Sequence, residues 1–355
     1  MLGDYSTGRD NNFNLLRCLA AMAVLISHAY PIALGAGTPE PLSASVGKSL
    51  GSLSVMMFFA TSGFLITASF ERSDRTSFVM ARVLRIFPGL IVCLALVAFV
   101  LGPWVSTWQT SDYFESPEPY LFFVRNTLLL FNVYTLPGVL DGQPYPAIVG
   151  SIWTLKHEFL CYFGVFLAGV LGLWTSKARA GLTLSVYCLL WYLSAEMVTV
   201  SGLLTQLHAL SMTFAIGIAF HIWRAHIPLS GWGILASCGL AALTRDTIWY
   251  HATLSLAIAY TTFWLAYIPA GILRAYNRLG DYSYGIYIYA FPVQGLVVWA
   301  FGSQTALENM LYATPPTLAL AILSWHLVEQ PSLRARKAVT LRVNYRLPHG
   351  LRAPQ

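Results

Sequence analysis

Residues 86–104 read IFPGLIVCLALVAFVLGPW, nineteen consecutive residues without a charged side chain. A helix needs about 20 predominantly apolar residues to cross the hydrocarbon core of a bilayer, so this stretch predicts a membrane span. Two arginines, Arg82 and Arg85, stand just before it. Basic residues beside an apolar run indicate that the helix enters the membrane from the cytoplasm.

The rest of the 355-residue chain follows the same pattern. Apolar residues make up 56% of it and charged residues only 10%, against roughly a quarter charged in soluble domains. Runs of similar character lie at 13–34, 46–70, 86–104, 150–174, 180–200, 204–223, 229–244, 248–270, 282–302 and 310–329. The sequence therefore predicts an all-α protein, a polytopic transmembrane helical bundle of about ten spans.

Basic residues set the orientation, because cytoplasmic loops retain Lys and Arg. With ten spans and both termini cytoplasmic, sixteen of the 21 basic residues fall on the inner side. A further run at 120–140 is interrupted by Arg125, and counting it as a span would place the basic C-terminal tail outside. We therefore do not expect that run to cross the membrane.

This topology divides the chain into a membrane bundle and a tail. We expect the bundle over 1–333, with 105–149 as a long extracytoplasmic or re-entrant segment, and a short basic cytoplasmic tail over 334–355. The expected location is the inner (plasma) membrane, with the lipid bilayer as a partner.

Composition also excludes other classes of protein. The net charge of +6 follows from the topology, so no nucleic-acid partner is needed to explain it. The five cysteines lie inside apolar runs without metal-ligand or CxxC spacing, so the sequence predicts neither a disulfide framework nor a metal site.

The first predicted span carries two ionisable side chains, Arg17 and His28. Such groups are costly inside a membrane and mark functional sites. Their separation places them within about 20° of one helical face, roughly 16 Å apart along the axis. We expect Arg17 near the cytoplasm, in the site or snorkelling to the headgroups, and His28 in the outer half, as a functional or a packing histidine.

The fourth predicted span carries Glu158 near its outer end. At 1.5 Å per residue, Glu158 lies about 12 Å below residue 150, and His28 lies about 9 Å below residue 34. The two side chains are therefore expected in one layer, where a carboxylate orients an imidazole for general-base or acyl-carrier chemistry. Tyr162 follows Glu158 by four residues, so its hydroxyl lies on the same face.

Arg82 and Arg85 are spaced i and i+3, which lets both guanidinium groups project into one opening at the cytoplasmic end of the third span. Each guanidinium presents a fork that suits phosphate. Together with Arg17 on the same side, they predict a cofactor-binding mouth of three arginines. Anchoring by the positive-inside rule alone is the alternative.

Three further residues are candidates. Ser62 lies in a small-residue segment of the second span, which serves either close helix packing or a substrate channel. Trp153 is either part of the site or an interfacial anchor. Glu329 ends the last span at the depth of Arg82 and Arg85, so we expect a structural ion pair with that arginine layer.

Six motifs in this order resemble the acyltransferase 3 family of integral-membrane O-acyltransferases, over nearly the whole chain. They are Arg17-x10-His28, Phe58-Phe59-x-x-Ser62-Gly63-Phe64, Arg82-x-x-Arg85-Ile86-x-Pro88, Trp153-x4-Glu158-x3-Tyr162, Ser283-Tyr284-Gly285-x-Tyr287 and Glu329-x-Pro331.

The resemblance implies an enzyme that takes an acyl group, usually acetyl, from cytoplasmic acyl-CoA to a hydroxyl of a surface carbohydrate or its lipid-linked precursor. It also implies roles: His28 as the essential histidine, Arg17 as its paired basic residue, Arg82 and Arg85 as the acyl-CoA pair, and Glu158 as the acid of the tryptophan motif.

Two departures from the family pattern are visible. Many members place a histidine after the tyrosines of the ninth span, where this chain has Tyr289-Ala290-Phe291-Pro292. Some members also carry an extracytoplasmic hydrolase-like domain after the bundle, which this chain lacks. We therefore expect either a stand-alone enzyme, with or without homo-oligomers, or one with a separate partner chain.

Two mechanisms stay open at the level of sequence: His28 deprotonates the acceptor hydroxyl, or it carries the acetyl group transiently. Ser62, Tyr162 and Tyr287 are candidate donors to the oxyanion. The alternative function is a transporter or channel that uses the intramembrane Arg, His and Glu for a solute or proton relay. Against it, the sequence has neither inverted repeats nor paired broken helices.

Overall fold

The computed structural model describes residues 1–8, 10–129, 131–194 and 202–346. Within these ranges the chain is helical and contains no β-strand. Its longer helices are α1 (Phe13–Leu34), α2 (Leu50–Arg72), α3 (Arg75–Leu96), α4 (Trp153–Val170), α5 (Lys177–Leu193), α6 (Gly202–Ile222), α7 (Gly231–Leu243), α8 (Tyr250–Tyr267), α9 (Ser283–Phe301) and α10 (Ala306–Ser324). The predicted all-α class is confirmed for the described residues.

Several short helices complete the described chain. They are Leu2–Tyr5, Pro41–Val46, Gly102–Val105, Thr110–Glu115, Glu118–Thr127, Gln330–Arg334 and Arg336–Arg346, with a 3₁₀ helix over Gly271–Arg278 and π-helical turns over Val97–Leu101 and Trp325–Glu329.

Six helices of the described chain are long and apolar enough to cross a membrane. They are α1, α2, α3 extended to Val105, α6, α9 and α10 extended to Arg334. A seventh follows if α8 and the 3₁₀ helix Gly271–Arg278, which are bent by 87°, form one broken span. The membrane character of the chain is therefore clear, while α4, α5 and α7 do not qualify on length and hydropathy. In α4 the polar Lys156-His157-Glu158 stretch lowers the hydropathy.

Helix α3 begins eleven residues before the predicted span. Asp74 caps it, because its Oδ1 accepts a hydrogen bond of 2.9 Å from the Ser77 amide. Arg82 and Arg85 consequently lie within a continuous helix and not in a loop before it. The helix then continues through the π turn to Val105.

The predicted outer segment 105–149 contains no described helix long enough to span. Glu118–Thr127 has ten residues, which is about 15 Å of helix. The buried Asn126 side chain ends it, since its amide donates to the Val133 carbonyl and accepts from the Val133 amide, at 2.8 and 3.0 Å. Asn126 directly follows Arg125, so a second polar residue within the 120–140 run fixes the turn after this helix.

The described chain divides into two compact units. The first comprises Met1–Ala20, Leu53–Arg72 and His157–Gly280, and the second comprises Ala21–Ser52, Ser73–Lys156 and Asp281–Gln355. In the first unit, α2 and α6 approach closely where Gly63 faces the Phe214 carbonyl, and a Cβ at Gly63 would overlap that oxygen. Small residues therefore serve helix packing at this crossing.

The second unit is built around α9, which is buried along most of its length. Gly285 lets α9 approach α10, because a Cβ there would lie 2.7 Å from the Ala321 Cα atom. Inside the unit, the Gln294 amide donates to the Leu25 carbonyl at 2.9 Å and to Asn309 Oδ1 at 3.0 Å. These bonds join α9 to α1 and α10 and satisfy polar groups that lipid cannot.

Candidate functional site

Three polar side chains meet within the first unit, on α2 and α4. Ser62 donates a hydrogen bond of 2.9 Å to Glu158 Oε1, and Tyr162 donates a short hydrogen bond to the same oxygen. The two hydroxyl oxygens lie 3.4 Å apart. All three side chains are half-buried, so one carboxylate oxygen holds two hydroxyl groups at the edge of the unit.

Helix packing explains this position of Ser62. It is followed by Gly63, the residue at the close crossing of α2 and α6. On α6, the ring of Phe214 lies against the ring of Tyr162, with centroids 6.3 Å apart. The crossing therefore fixes the helix that carries Ser62, and Phe214 limits the movement of Tyr162.

The first turn of α4 and the residues before it lie in the second unit, where they are bonded to Tyr287 of α9. Ser151 Oγ donates to the Tyr287 carbonyl at 2.8 Å, and the Tyr287 hydroxyl donates to the Ser151 carbonyl at 2.6 Å. Thr154 Oγ1 lies 2.5 Å from the same hydroxyl, and all three residues are buried. The Tyr287 proton is therefore engaged in holding the start of α4.

His28 lies on the part of α1 that belongs to the second unit. Its ring contacts Phe291 of α9 edge-on, with centroids 5.2 Å apart. The Nδ1 atom is buried and has no hydrogen-bond partner among the described residues. Gly150 also leaves room for the Phe291 ring, since a Cβ at that position would overlap it.

A carboxylate that the sequence did not point to is bonded to Ser27, the residue directly before His28. Glu40 is buried, and its Oε2 accepts a hydrogen bond of 2.5 Å from Ser27 Oγ. The Leu50 amide donates to both carboxylate oxygens, at 2.8 and 3.0 Å. Glu40 thus closes the loop between α1 and α2. The sequence signal was an acidic residue directly before the proline that begins a helix.

The two arginines of the predicted pair, Arg82 and Arg85, make different contacts. Arg82 donates a hydrogen bond of 3.0 Å to the Phe78 carbonyl, and its guanidinium lies 4.5 Å from the centre of the Phe78 ring. Arg85 instead forms ion pairs with Asp281 at 2.6 Å and with Glu329 at 3.5 Å. The two guanidinium groups therefore have different surroundings although they lie one turn apart.

Glu329 is 1% exposed, and its other oxygen accepts a hydrogen bond of 2.9 Å from Ser324. This is the surrounding that the sequence analysis expected for it, a structural ion pair with the arginine layer. Asp281 was missed, although it stands two residues before the Ser283-Tyr284-Gly285 motif. Its Oδ1 accepts a hydrogen bond of 2.5 Å from Ser283.

The structure brings some of the expected site residues together and leaves others in separate units. Ser62, Glu158 and Tyr162 meet, and so do Arg85 and Glu329. His28 belongs to the second unit and Glu158 to the first, so their expected pairing stays a prediction from the sequence.

The expected roles of two further site residues, Arg17 and Trp153, also stay predictions from the sequence. Arg17 is half-buried on the part of α1 in the first unit, whereas the arginine pair belongs to the second. Trp153 is the half-buried first residue of α4. Within the described residues, no three His, Cys, Asp or Glu side chains are placed to hold a metal ion.

Known proteins resemble this chain over nearly its whole length. A family model described as an acyltransferase domain, that of the acyltransferase 3 family, matches residues 10–327. An O-acetyl transferase of Shigella phage Sf6 is 30% identical over 339 residues, which cover 91% of this chain and 96% of the phage protein.

Nodulation protein 10 of Rhizobium leguminosarum bv. viciae is also similar, with 29% identity over 369 residues that cover 96% of this chain and 97% of the relative. No solved structure matches the chain. The family match contains five of the six motifs, from Arg17 in α1 to Tyr287 in α9, and ends two residues before the sixth, which begins at Glu329. The chain therefore belongs to the acyltransferase 3 family.

Proposed function

We propose that this protein is an O-acetyltransferase of the inner membrane. It moves an acetyl group from cytoplasmic acetyl-CoA to a hydroxyl of a cell-surface carbohydrate or its lipid-linked precursor. The family match and the similarity to the phage O-acetyl transferase support the reaction class. The identity of the donor, the identity of the acceptor and the roles of the residues that act on them are our proposal.

The proposal includes a bundle of ten spans with both termini in the cytoplasm. Helices α4, α5, α7 and α8 then cross the membrane together with the six that qualify on length and hydropathy. The distribution of Lys and Arg supports this orientation. It places the arginines of α3 at the cytoplasmic face and His28 in the outer half of the bilayer.

The observation that carries the proposal is the buried Nδ1 atom of His28, which has no hydrogen-bond partner among the described residues. Leaving a buried polar atom unpaired costs about 1–3 kcal/mol. The buried Nδ1 of His221 is also unpaired, but the other nitrogen of that ring is hydrogen-bonded to Glu71. An imidazole nitrogen kept available inside a membrane span is the arrangement that proton or acyl transfer requires.

In the direct mechanism, His28 takes the proton of the acceptor hydroxyl while the hydroxyl oxygen attacks the thioester carbonyl. The carbon–sulfur bond then breaks, and the thiolate of CoA leaves with the proton. In the alternative, a His28 nitrogen attacks the thioester carbonyl and the thiolate of CoA leaves. The acceptor oxygen then attacks the acetyl carbon, its proton passes to the imidazole, and the carbon–nitrogen bond breaks. Both mechanisms need the same histidine and differ in whether an acetyl-imidazole forms.

Glu158, Ser62 and Tyr162 are proposed to serve this chemistry as one group. Both hydroxyl protons point to Glu158 Oε1, so Glu158 acts by holding and orienting them. Donation to an oxyanion by Ser62 or Tyr162 requires that a hydroxyl turn away from the carboxylate when substrate binds. Tyr287 is less suited, because its proton is engaged with Ser151. Trp153 is proposed to contact the acceptor.

The donor's pyrophosphate is proposed to lie against the arginine pair. Arg85 is shared between two carboxylates, so its charge is already compensated. The fork of Arg82 is bound on one side to its own helix, which orients it. Arg17 is proposed to add a third positive charge on the cytoplasmic side.

The test is transfer of radiolabelled acetyl from acetyl-CoA into acceptor by membranes that contain the protein. His28→Ala should abolish incorporation while membrane insertion and yield stay unchanged. The control is His326→Ala, an exposed histidine beside Tyr282 at the end of the last span. Incorporation that persists in His28→Ala would overturn the assignment. Solute movement without any acetylated product would favour a transporter.

A further inference from the structure

A polar cavity of about 500 Å³ opens in the first unit, apart from the Glu158 group. It lies where α2 and α6 end and α5 begins, beside the helix Leu2–Tyr5. All these helix ends fall on the cytoplasmic side of the proposed topology. Its volume is within the range of small-molecule sites, about 300–1,000 Å³.

The cavity wall offers the groups that a nucleotide needs. Lys177 and Arg224 supply two cations, and Lys177 lies in the first turn of α5, where the helix dipole also favours an anion. Trp174 supplies an aromatic face for a base, and its indole N–H donates to the Val165 carbonyl at 3.0 Å, which fixes the ring.

Two carboxylates also line the cavity, and they limit where phosphate can bind. Glu71 Oε2 is hydrogen-bonded at 2.8 Å to Nε2 of the buried His221, and Arg224 donates to the His221 carbonyl at 2.6 Å. Asp4 lies at the exposed rim. Glu71 therefore suits a ribose hydroxyl or an amino group, which leaves Lys177 and the start of α5 for phosphate.

We propose that this cavity binds the 3′-phosphoadenosine part of the acyl-CoA donor, with the base against Trp174 and a phosphate at Lys177. The inference rests on the proposed function for the identity of the donor. The headgroup of an anionic phospholipid offers the same phosphate chemistry at this face of the membrane. The nucleotide is favoured because a headgroup makes no use of the aromatic face.

The test uses the full chain in nanodiscs of phosphatidylcholine, titrated with adenosine 3′,5′-bisphosphate in a calorimeter. Lys177→Glu should lower the affinity at least about tenfold, the usual effect of losing one charge-assisted phosphate contact. Lys177 is exposed, so the variant should fold, and Lys177→Gln provides a milder second variant. Arg179→Glu is the matched control, because it makes the same charge change two residues away and does not line the cavity.

Three outcomes decide the inference. Unchanged affinity in Lys177→Glu, or equal losses in Lys177→Glu and Arg179→Glu, overturns it. If added phosphatidylglycerol abolishes nucleotide binding to the original chain but not to Lys177→Gln, that result assigns the cavity to a lipid headgroup and also overturns the inference. Because binding is measured without transfer, a protein that binds the nucleotide and transfers nothing contradicts only the proposed function.

Discussion

Arg85 and Asp281 join α3 to the start of α9 through an ion pair of 2.6 Å, and Glu329 approaches the same guanidinium from the end of the last span. The Arg85 side chain is 20% exposed and that of Glu329 1%. Two carboxylates therefore share one guanidinium. We interpret Arg85 mainly as the centre of a structural cluster that binds three parts of the second unit together.

Asp281→Asn should destabilise the second unit. Removing one partner of a largely buried ion pair costs on the order of 3 kcal/mol, and Arg85 would keep only the longer of these two carboxylate contacts, that of 3.5 Å to Glu329. The apparent melting temperature of the detergent-purified protein should fall, whereas Asp112→Asn, at an exposed site in a short helix, should leave it unchanged. Equal melting temperatures for the original chain and Asp281→Asn would show that the pair contributes nothing.

Arg82→Glu should weaken the use of acetyl-CoA. A reversed charge at a phosphate contact should raise the apparent KM for acetyl-CoA at least about tenfold, while the KM for the acceptor stays the same. Steady-state transfer at varied donor and acceptor concentrations measures both constants. If the KM for acetyl-CoA does not change, Arg82 does not bind the donor and serves only to orient the helix in the membrane.

The contrast between these arginines shows what the sequence was able to predict. The i, i+3 spacing placed both side chains on one helix end, and the depth of Glu329 suggested an ion pair. Spacing within one helix says nothing about side chains that another helix contributes, so Asp281 and the compensation of Arg85 were missed. The α3 start was also misplaced, because the cap at Asp74 extends the helix beyond its apolar run.

In the Ser62–Glu158–Tyr162 group, the contact within one helix was predictable from the sequence and the contact between helices was not. The i+4 spacing predicted that Tyr162 and Glu158 share a face, and their hydrogen bond lies within one helix. The sequence suggested Ser62 as a residue of a packing segment or a substrate channel and as an oxyanion donor, and not as a partner of Glu158. Its bond to Glu158 depends on how α2 and α4 are placed in the first unit, which no periodicity within either helix specifies.

Glu158→Gln should reduce transfer by about 10²-fold or more, the usual scale for a residue in proton-transfer machinery. The amide keeps one acceptor oxygen but loses the charge that orders both hydroxyl groups. Ser62→Ala and Tyr162→Phe should each cause smaller losses, and the double variant should lose less than the sum in free energy, because the two share one acceptor oxygen. Additive losses measured in the transfer assay would mean that the two hydroxyl groups act independently.

Phe291→Ala should lower transfer by removing the ring that contacts His28 edge-on. The imidazole then gains rotational freedom, and the catalytic geometry is occupied less often. We expect a lower kcat with little change in the KM for acetyl-CoA. Phe301→Ala, at an exposed position at the end of the same helix, is the control. If kcat is unchanged in Phe291→Ala, this ring does not position His28.

Gly63→Ala should disrupt the first unit, because the added methyl group overlaps the Phe214 carbonyl oxygen where α2 crosses α6. Forcing atoms into such a contact costs about 1–3 kcal/mol. Gly164→Ala is a matched control, since no neighbouring atom lies within 4 Å of a Cβ at that position, and alanine favours the helix by about 1 kcal/mol. The yield of monodisperse protein and its apparent melting temperature should fall for Gly63→Ala and hold or rise for Gly164→Ala. If both variants behave alike, the crossing is looser than its geometry indicates, and the position of Ser62 beside Glu158 then needs another support.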